Sequence, residues 1–448
     1  MFKSIAKYYL VFILSLILGI FLSRAEDGPL IEVRKYVDEF YLFVKGHPEE
    51  QTTFSQKVLS EILKTKRNDI TPITNHKSKL INSDEYKIDN ELKFILKGKI
   101  PDSASFMFHA GKNTKDYKGG YFVIIGDEDR ARFMRFPNIV DFHIDSRGIL
   151  VLRDDELSYY NLCGDKKKWS VSGAFHHYFT PNAEKVAVLG TIMDKDLIKA
   201  EKALDKERIY TDANHNITVI NRNNGELIKS FDFHDIAKAN IDRFDPLVIE
   251  KTSQNRRKVR EGIFVNTQDN WHPNDLDLFP NYFKSKYFDS NDILVSAKGY
   301  NLLFVVSIDT LKIKWFSQGW LQGQHDPDWH TDDSFTVFNN RNESNPSSKF
   351  SSIEKYNFTN SEYTILVDGN KFDAVSRHSG GHSIFKDIAS MSLTLQGRYI
   401  LTNLINDNIL AEIFLYEKDS LQNVKEGKLI DREIFERTLK CKNWQYIK

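Results

Sequence analysis

From about residue 93 to the end of the chain, apolar and polar residues alternate in short runs: ELKFILKG, GYFVIIGD, IVDFHID, GILVLRD, KVAVLGT, NITVINR, DILVSAK, LLFVVSID, SFTVFNN, YTILVDG and YILTNLI. A period of two puts apolar side chains on one face of a pleated strand, so each run reads as a strand. Asn224-Gly225, Asp368-Gly369 and Gly397 supply turn signals between them. One unit recurs, a strand, a turn and then a strand carrying "ID-x-x-x-x-K-x-x-W". It is clearest from Ser307 to Trp315 and fainter from Val219 to Phe231. A four-stranded propeller blade takes about 40–45 residues, so the roughly 340 residues from 100 to 440 hold six to eight blades.

The period changes toward the N-terminus. Leu30, Ile31, Val33, Tyr36, Val37, Phe40, Tyr41 and Phe43 recur at spacings of three and four, one face of a helix. Gly46-His47-Pro48 breaks it, and a second helix runs through Phe54, Val58, Leu59, Ile62 and Leu63. Residues 67–92 are polar and read as a linker. Lys3 and Lys7 precede Tyr8–Ser23, which carries no charge over 16 residues. That run lies between a cleaved signal and a spanning helix, which needs about 20 apolar residues. Ser23-x-Ala25 offers a cleavage site. In either case the remainder is exported, either free or tethered to a membrane by one helix. The expected division is 1–25 signal peptide or signal-anchor, 26–92 helical extension and linker, and 93–448 β-propeller.

Composition narrows the partners. Lys+Arg and Asp+Glu balance at 62 each, so the chain lacks the basic excess of a nucleic-acid binder. The 32 Phe and 19 Tyr suit strands packed face to face. Two cysteines exclude a disulfide scaffold and a four-cysteine zinc site. In an oxidising compartment Cys163 and Cys441 can pair and tie the tail to the body; the alternative is two buried thiols. Two charged stretches interrupt the strand pattern. Residues 194–210 form an excursion, and 251–262, with Arg256, Arg257, Lys258 and Arg260, read as a solvated loop or an anion-binding run.

Histidines cluster where strand patterns begin. Phe175-His176-His177-Tyr178, Trp271-His272-Pro273-Asn274-Asp275, Gln324-His325-Asp326-Pro327-Asp328-Trp329-His330 and Arg377-His378-Ser379-Gly380-Gly381-His382 each precede a strand. Read as turns on equivalent blade edges, they converge on a central channel. Convergent imidazoles suit anion binding, metal binding or nucleophilic work.

WHPNDLDLF, NDILVSAKGYNLLFVVSIDTLKIKWFSQG and QHDPDWHTDDSFTVFNN resemble the arylsulfotransferase family, the aryl-sulfate sulfotransferases that use no nucleotide sulfate. The likeness covers about residues 170–340. It implies an all-β, six-bladed propeller, seven blades being the alternative, with a funnel-shaped channel. It also implies a ping-pong reaction in which a histidine takes the sulfuryl group from an aryl sulfate donor and passes it to a phenolic acceptor. By motif, His325 is the nucleophile, His272 and Asn274 contact the sulfuryl oxygens, and one of His176 and His177 is a further histidine. No cofactor or metal is required, and family habit allows a homodimer.

This chain departs from the family pattern in three places. Lys298 stands where the family has arginine, keeping the charge but losing the bidentate fork. About ten residues (PNYFKSKYFD) are inserted after the Trp-His motif, and Tyr178 follows His177 where an acid is usual. Two other functions stay open. One is a non-catalytic, membrane-anchored propeller that binds a partner or glycan. The other is a metalloenzyme using His176 or His177 with His272 and His325. Each candidate also has a structural reading: His325 as a blade-corner histidine bonded to a carbonyl, His272 and Asn274 as an Asx-type corner, one of His176 and His177 turned away from the channel, Lys298 as a surface lysine, and Arg377, His378 and His382 as parts of a glycine-rich turn.

Overall fold

The computed structural model describes residues 83–447, apart from 112–119, 128–129, 137–138, 154, 194–215, 242–272, 299–300, 319–320, 322, 341–349, 377–379, 418–419, 423 and 425; the side chains of Asp127, His176 and Leu395 are likewise outside the description. The expected signal helix and nearly all of the helical extension lie outside the described residues, as do the 194–210 excursion, the 251–262 basic run and His272. Among the described residues no helix is long and apolar enough to cross a membrane.

Among the described residues the strands form five antiparallel sheets, which divide into six four-stranded groups, numbered as blades. Blade 1 is Lys428–Asp431, Ala104–Ala110, Tyr121–Asp127 and Arg130–Arg135. Blade 2 is Asp141–Asp145, Gly148–Leu152, Glu156–Tyr160 and the first part of Lys167–Pro181. That long strand then serves as the first strand of blade 3, followed by Lys185–Ile192, Asn216–Asn221 and Leu227–Asp232. Blade 4 is Pro273–Leu278, Asp292–Ala297, Leu302–Ser307 and Ile313–Gln318. Blade 5 is His325–Thr331, Ser334–Asn339, Ser352–Asn357 and Glu362–Asp368. Blade 6 is Gly381–Phe385, Ile388–Leu393, Arg398–Asn403 and Ile409–Glu417, extended outward by Leu92–Gly98 and Ser83–Lys87. The sheet thus begins inside the segment read as a linker. Ser83–Lys87 buries only Tyr86, so it lacks the alternation that marks a strand in sequence.

Six apolar cores lie between successive blades and close the ring. Met107 and Phe122 of blade 1 pack with Phe142 and Ile149 of blade 2. Leu150 and Leu157 pack with Val186 and Val188 of blade 3, Leu189 and Val219 with Leu276 and Val295 of blade 4, and Leu294 and Val305 with Trp329 and Phe335 of blade 5. Phe338 and Ile353 meet Met391 and Ile400 of blade 6, and Tyr399 and Leu401 return to Phe106 and Phe108 of blade 1. Burying each such side chain stabilises the fold by about 1.5–3 kcal/mol. A closed ring of sheets packed face to face is a β-propeller.

The ring is closed by the C-terminus. Leu429 pairs with Phe106 in the ladder of blade 1. Beyond it, the helix Arg432–Thr438 sets Phe435 against Gly126, and Trp444 is buried. Arg132 donates to the carbonyls of Thr438, Cys441 and Trp444. Cys163 and Cys441 form a disulfide, their Cα atoms 5.1 Å apart, which ties this tail to the loop after Tyr160.

Candidate functional site

In a propeller the first strand of each blade lies nearest the ring axis, and Phe175–Tyr178, Pro273–Asp275, His325–His330 and Gly381–His382 of the four histidine segments belong to these strands. These segments are strands and not turns, although their many polar residues give them no apolar alternation. Three consecutive inner strands are bulged where the candidate residues sit. In Lys167–Pro181 the register shifts across His176–Tyr178, and His177 adopts the left-handed region with φ 58°. Gly190 makes room on the neighbouring strand: a Cβ there would lie 2.2 Å from the Ala174 carbonyl. In Pro273–Leu278 the shift falls at Asn274. In His325–Thr331 it falls at Asp326–Pro327, with Asp326 at φ 54°. Asp tolerates this region better than most residues, and bulges re-aim side chains next to active sites.

His325 heads the first strand of blade 5 and is 5% exposed. Its Nδ1 lies 3.0 Å from the Gly323 carbonyl and 2.7 Å from the Asn340 amide nitrogen. With the proton on Nδ1, the Gly323 carbonyl accepts it and Nε2 keeps its lone pair. In the other tautomer Asn340 donates to Nδ1. Asn340 also donates to the Gly323 carbonyl and accepts from the Gly380 N–H, so it links the turn before His325 to the approach to blade 6. Asn274 donates to the Gln324 carbonyl at 2.7 Å, and its Oδ1 is buried without a hydrogen bond. A Cβ on Gly323 would lie 3.9 Å from Lys298 Cε, which places the lysine stem beside the same turn. Burial pushes the Lys298 ammonium below its usual range.

The structure therefore gathers Asn274, Lys298 and His325 around Gly323–Gln324 and adds Asn340, which sequence reasoning missed. His177 lies on the bulge of the neighbouring blade. His176 is on the same strand, but its side chain is outside the described residues. His382, read as part of a turn, is fully buried in the first strand of blade 6. Its Nε2 lies 2.8 Å from Thr336 Oγ1 and its Nδ1 3.1 Å from Asp326 Oδ2.

The channel is acidic. Asp141, Asp275, Asp277, Asp326, Asp328 and Glu426 interact with one another through space, and Lys428 is the ammonium that reaches them, 3.1 Å from Glu426 and 3.7 Å from Asp141. Asp328 is 43% exposed although carboxylates crowd it. Burial, then repulsion from Asp326, pushes the carboxyls of Asp275, Asp328 and Glu426 well above their usual range. Burial raises Asp277 to about 7, even though Thr180 and the Trp329 N–H donate to it. Burial works against the Lys428 ammonium, but Asp141, Glu426 and Asp326 outweigh it and hold it well above the ordinary lysine value. Burial likewise lifts the Tyr178 hydroxyl, with Glu426 and Asp275 adding to the shift. The sequence signal for this cluster is an alternation of polar residues: Asp141-x-His143-x-Asp145, Asp275-x-Asp277, Asp326-x-Asp328 and Glu426-x-Lys428.

A model of the arylsulfotransferase (ASST) family matches residues 164–403, more than half of the 448-residue chain. The chain belongs to the arylsulfotransferase family. The matched stretch holds Asn274, Lys298, His325, Asn340 and His382; Asp141, Glu426 and Lys428 fall outside it. No curated protein matches the chain. Similar solved structures include the Pan2 WD40 domain of Neurospora crassa (12% identity, TM-score 0.36, covering 78% of this chain and 100% of that one). Apo AztD from Citrobacter koseri is another (8%, 0.37, 77% and 96%), and a nidogen/laminin complex a third (7%, 0.42, 73% and 98%). At these scores they bear on neither function nor ligand. The site that arylsulfotransferase membership calls for must accept a sulfate ester, an anion. In this chain that need meets a channel lined by carboxyls that burial and mutual repulsion drive toward their neutral form.

Proposed function

We propose that this protein transfers a sulfuryl group from an aryl sulfate donor to a phenolic acceptor through His325. Within arylsulfotransferase membership, the observation that carries this reading is the fixed ring of His325, with Nδ1 against the Gly323 carbonyl at the head of an inner strand. Nε2 attacks the sulfur, an N–S bond forms, and the S–O(aryl) bond breaks with its electron pair leaving on the phenolate. The Gly323 carbonyl holds the Nδ1 proton of the cationic ring. The acceptor phenol then gives its proton to the released phenolate or to solvent, its oxygen attacks the sulfur, and the N–S bond breaks with its electron pair returning to the imidazole. Charge accumulates on the sulfuryl oxygens, and Lys298 stands beside the turn where it can oppose it. His272, Asn274 and one of His176 and His177 complete the oxygen contacts. A metal or cofactor is not needed for these steps.

We place the protein outside the cytoplasm, tethered by or cleaved after residues 1–25, where an oxidising compartment maintains the Cys163–Cys441 bond. N-terminal sequencing of the exported protein distinguishes a retained anchor from a cleaved one.

The test is intact-mass spectrometry after incubation with 4-nitrophenyl sulfate, with released nitrophenol followed by absorbance. One sulfuryl adduct in the wild type, absent from His325→Ala, is the expected result. A folded wild type that gains no adduct and releases no nitrophenol refutes the proposal. That outcome favours the second reading, a propeller that binds a ligand without turnover, which the acidity of the channel supports.

A further inference from the structure

The crowding of carboxyls around His382 has a second consequence, independent of sulfuryl transfer. Asp326, Asp328 and His382 each present one ligand atom, and the three lie within 4.8 Å of one another. His382 Nδ1 is 3.1 Å from Asp326 Oδ2 and makes no hydrogen bond, while Nε2 is 4.0 Å from Asp328 Oδ2. A cation bound at about 2.0–2.2 Å from oxygen and nitrogen bridges donors about 3–4 Å apart and takes one ring nitrogen, here Nδ1, which makes no hydrogen bond while Nε2 is held by Thr336. The donors are also held in place. The His382 N–H donates to Asp326 Oδ2, and Thr336 fixes the ring through Nε2.

Two buried atoms point to a missing ligand. Asp275 Oδ2 and Glu426 Oε2 lack hydrogen bonds, and their residues are 5% and 8% exposed. Glu426 is at the cluster itself: a Cβ on Gly381 would lie 2.9 Å from Glu426 Cγ and 3.1 Å from Asp326 Oδ2. Lys428 pairs with the Glu426–Asp141 side. On the Asp326–Asp328 side the one basic partner within ion-pair distance among the described residues is His382. A histidine–aspartate ion pair explains one contact there, but it leaves Asp275 Oδ2 and Glu426 Oε2 without a hydrogen bond.

We infer that the channel binds one divalent cation on Asp326, Asp328 and His382, with Asp275 and Glu426 facing the same ion. Two carboxylates and an imidazole suit a first-row transition metal such as Mn2+ or Zn2+ better than Ca2+ or Mg2+. The residues do not overlap the His176 or His177, His272 and His325 set that the sequence offered for a metal.

The test uses the full-length protein, stripped with EDTA and dialysed, and titrated with MnCl2 while the free Mn2+ EPR signal is followed; calorimetry with ZnCl2 runs in parallel. One saturable Mn2+ or Zn2+ per chain is expected. Asp328→Asn, at a partly open position, should weaken it at least about tenfold without lowering the thermal midpoint of the metal-free protein. Asp84→Asn, an exposed acid in the outermost strand of blade 6, should leave binding unchanged. Absence of saturable binding up to about 1 mM metal overturns the inference. So does unchanged binding by Asp328→Asn. Binding of Ca2+ alone refutes the part assigned to the imidazole. None of these readouts depends on sulfuryl transfer.

Discussion

Replacing Lys428 by Met removes the ammonium that sits among the channel carboxyls while keeping an apolar stem of similar length. The structure sets the magnitude. At an effective dielectric of about 20, a unit charge 3.1 Å from Glu426 gains about 5 kcal/mol, and one 3.7 Å from Asp141 gains about 4 kcal/mol. Burial of the ammonium offsets much of this, and breaking such a buried pair from one side costs about 3–5 kcal/mol net. Glu426 and Asp141 already sit above their usual carboxyl range because of burial. Without Lys428 they rise further, so the folded state holds protons that the unfolded chain has released. When the native state binds more protons than the unfolded one, stability falls as pH rises. The deficit of Lys428→Met should therefore be small near pH 4, where these raised carboxyls are protonated in the folded wild type and the folded variant alike, and largest near pH 8.

Urea midpoints measured in EDTA at pH 4.5 and pH 8 test this. The variant should match the wild type closely at the acid end and lose most of the 3–5 kcal/mol at the alkaline end. Adding Glu426→Gln should recover part of the alkaline loss by deleting the stranded charge. Equal destabilisation at both pH values would show that Lys428 acts through packing and would refute the electrostatic account. No loss at either pH would refute it too.

Two further predictions follow from the same structure. Asp277 has a carboxyl raised by burial to about 7, so it draws stability down between the unfolded value near 4 and its own; Asp277→Asn should flatten the fall in urea midpoint between pH 5 and pH 8, and an unchanged slope counts against the shift. Cys441→Ser opens a loop of 278 residues; chain entropy puts the loss at about 5.6 kcal/mol as an upper value, read as a lower thermal midpoint matched by reduced wild type, and a midpoint equal to that of the oxidised wild type contradicts it.

The middle and outer strands were legible because they lie between two packed faces or alternate cleanly. Leu92–Gly98 buries every second residue, and Gly148–Leu152 is buried throughout, so period two or a short apolar run identifies each. The inner strands broke that rule. His325–Thr331 reads HDPDWHT and Pro273–Leu278 reads PNDLDL, polar because one side of each faces the channel, and a hydrophobicity pattern assigns such segments to turns. The bulges were hidden as well: that His177 and Asp326 take left-handed backbone follows from what their neighbours pair with, not from their own identity. Ring closure rests on Leu429 meeting Phe106, a contact over 300 residues apart that no local pattern announces. The resemblance pointed to His325 and Asn274, and to Lys298 as a departure, because their motifs are contiguous; Asn340 closes the same run as His325, but its bond to that ring, like the contacts of His382 and Lys428, depends on which strand lies beside which.

The acidic bore bears on how an anionic ester enters at all. Were all six carboxyls ionised, Lys428 alone would offset them, and the excess negative charge would repel a sulfate ester within about one Debye length. Protonation is one remedy, and burial together with mutual repulsion already favours it at Asp275, Asp328 and Glu426. A divalent cation at Asp326, Asp328 and His382 is the other, and it fixes the charge instead of leaving it to pH. The two remedies differ in their consequence. With protonation alone, ester capture should weaken steadily as pH rises from 6 to 9, because each carboxyl that ionises adds to the repulsion. With a bound cation the carboxyls remain ionised and compensated, and capture should stay level until the metal is removed. A KM for aryl sulfate measured across that pH range, with and without EDTA, distinguishes them by slope, and a KM indifferent to both pH and EDTA would mean that the ester never meets the acidic part of the channel.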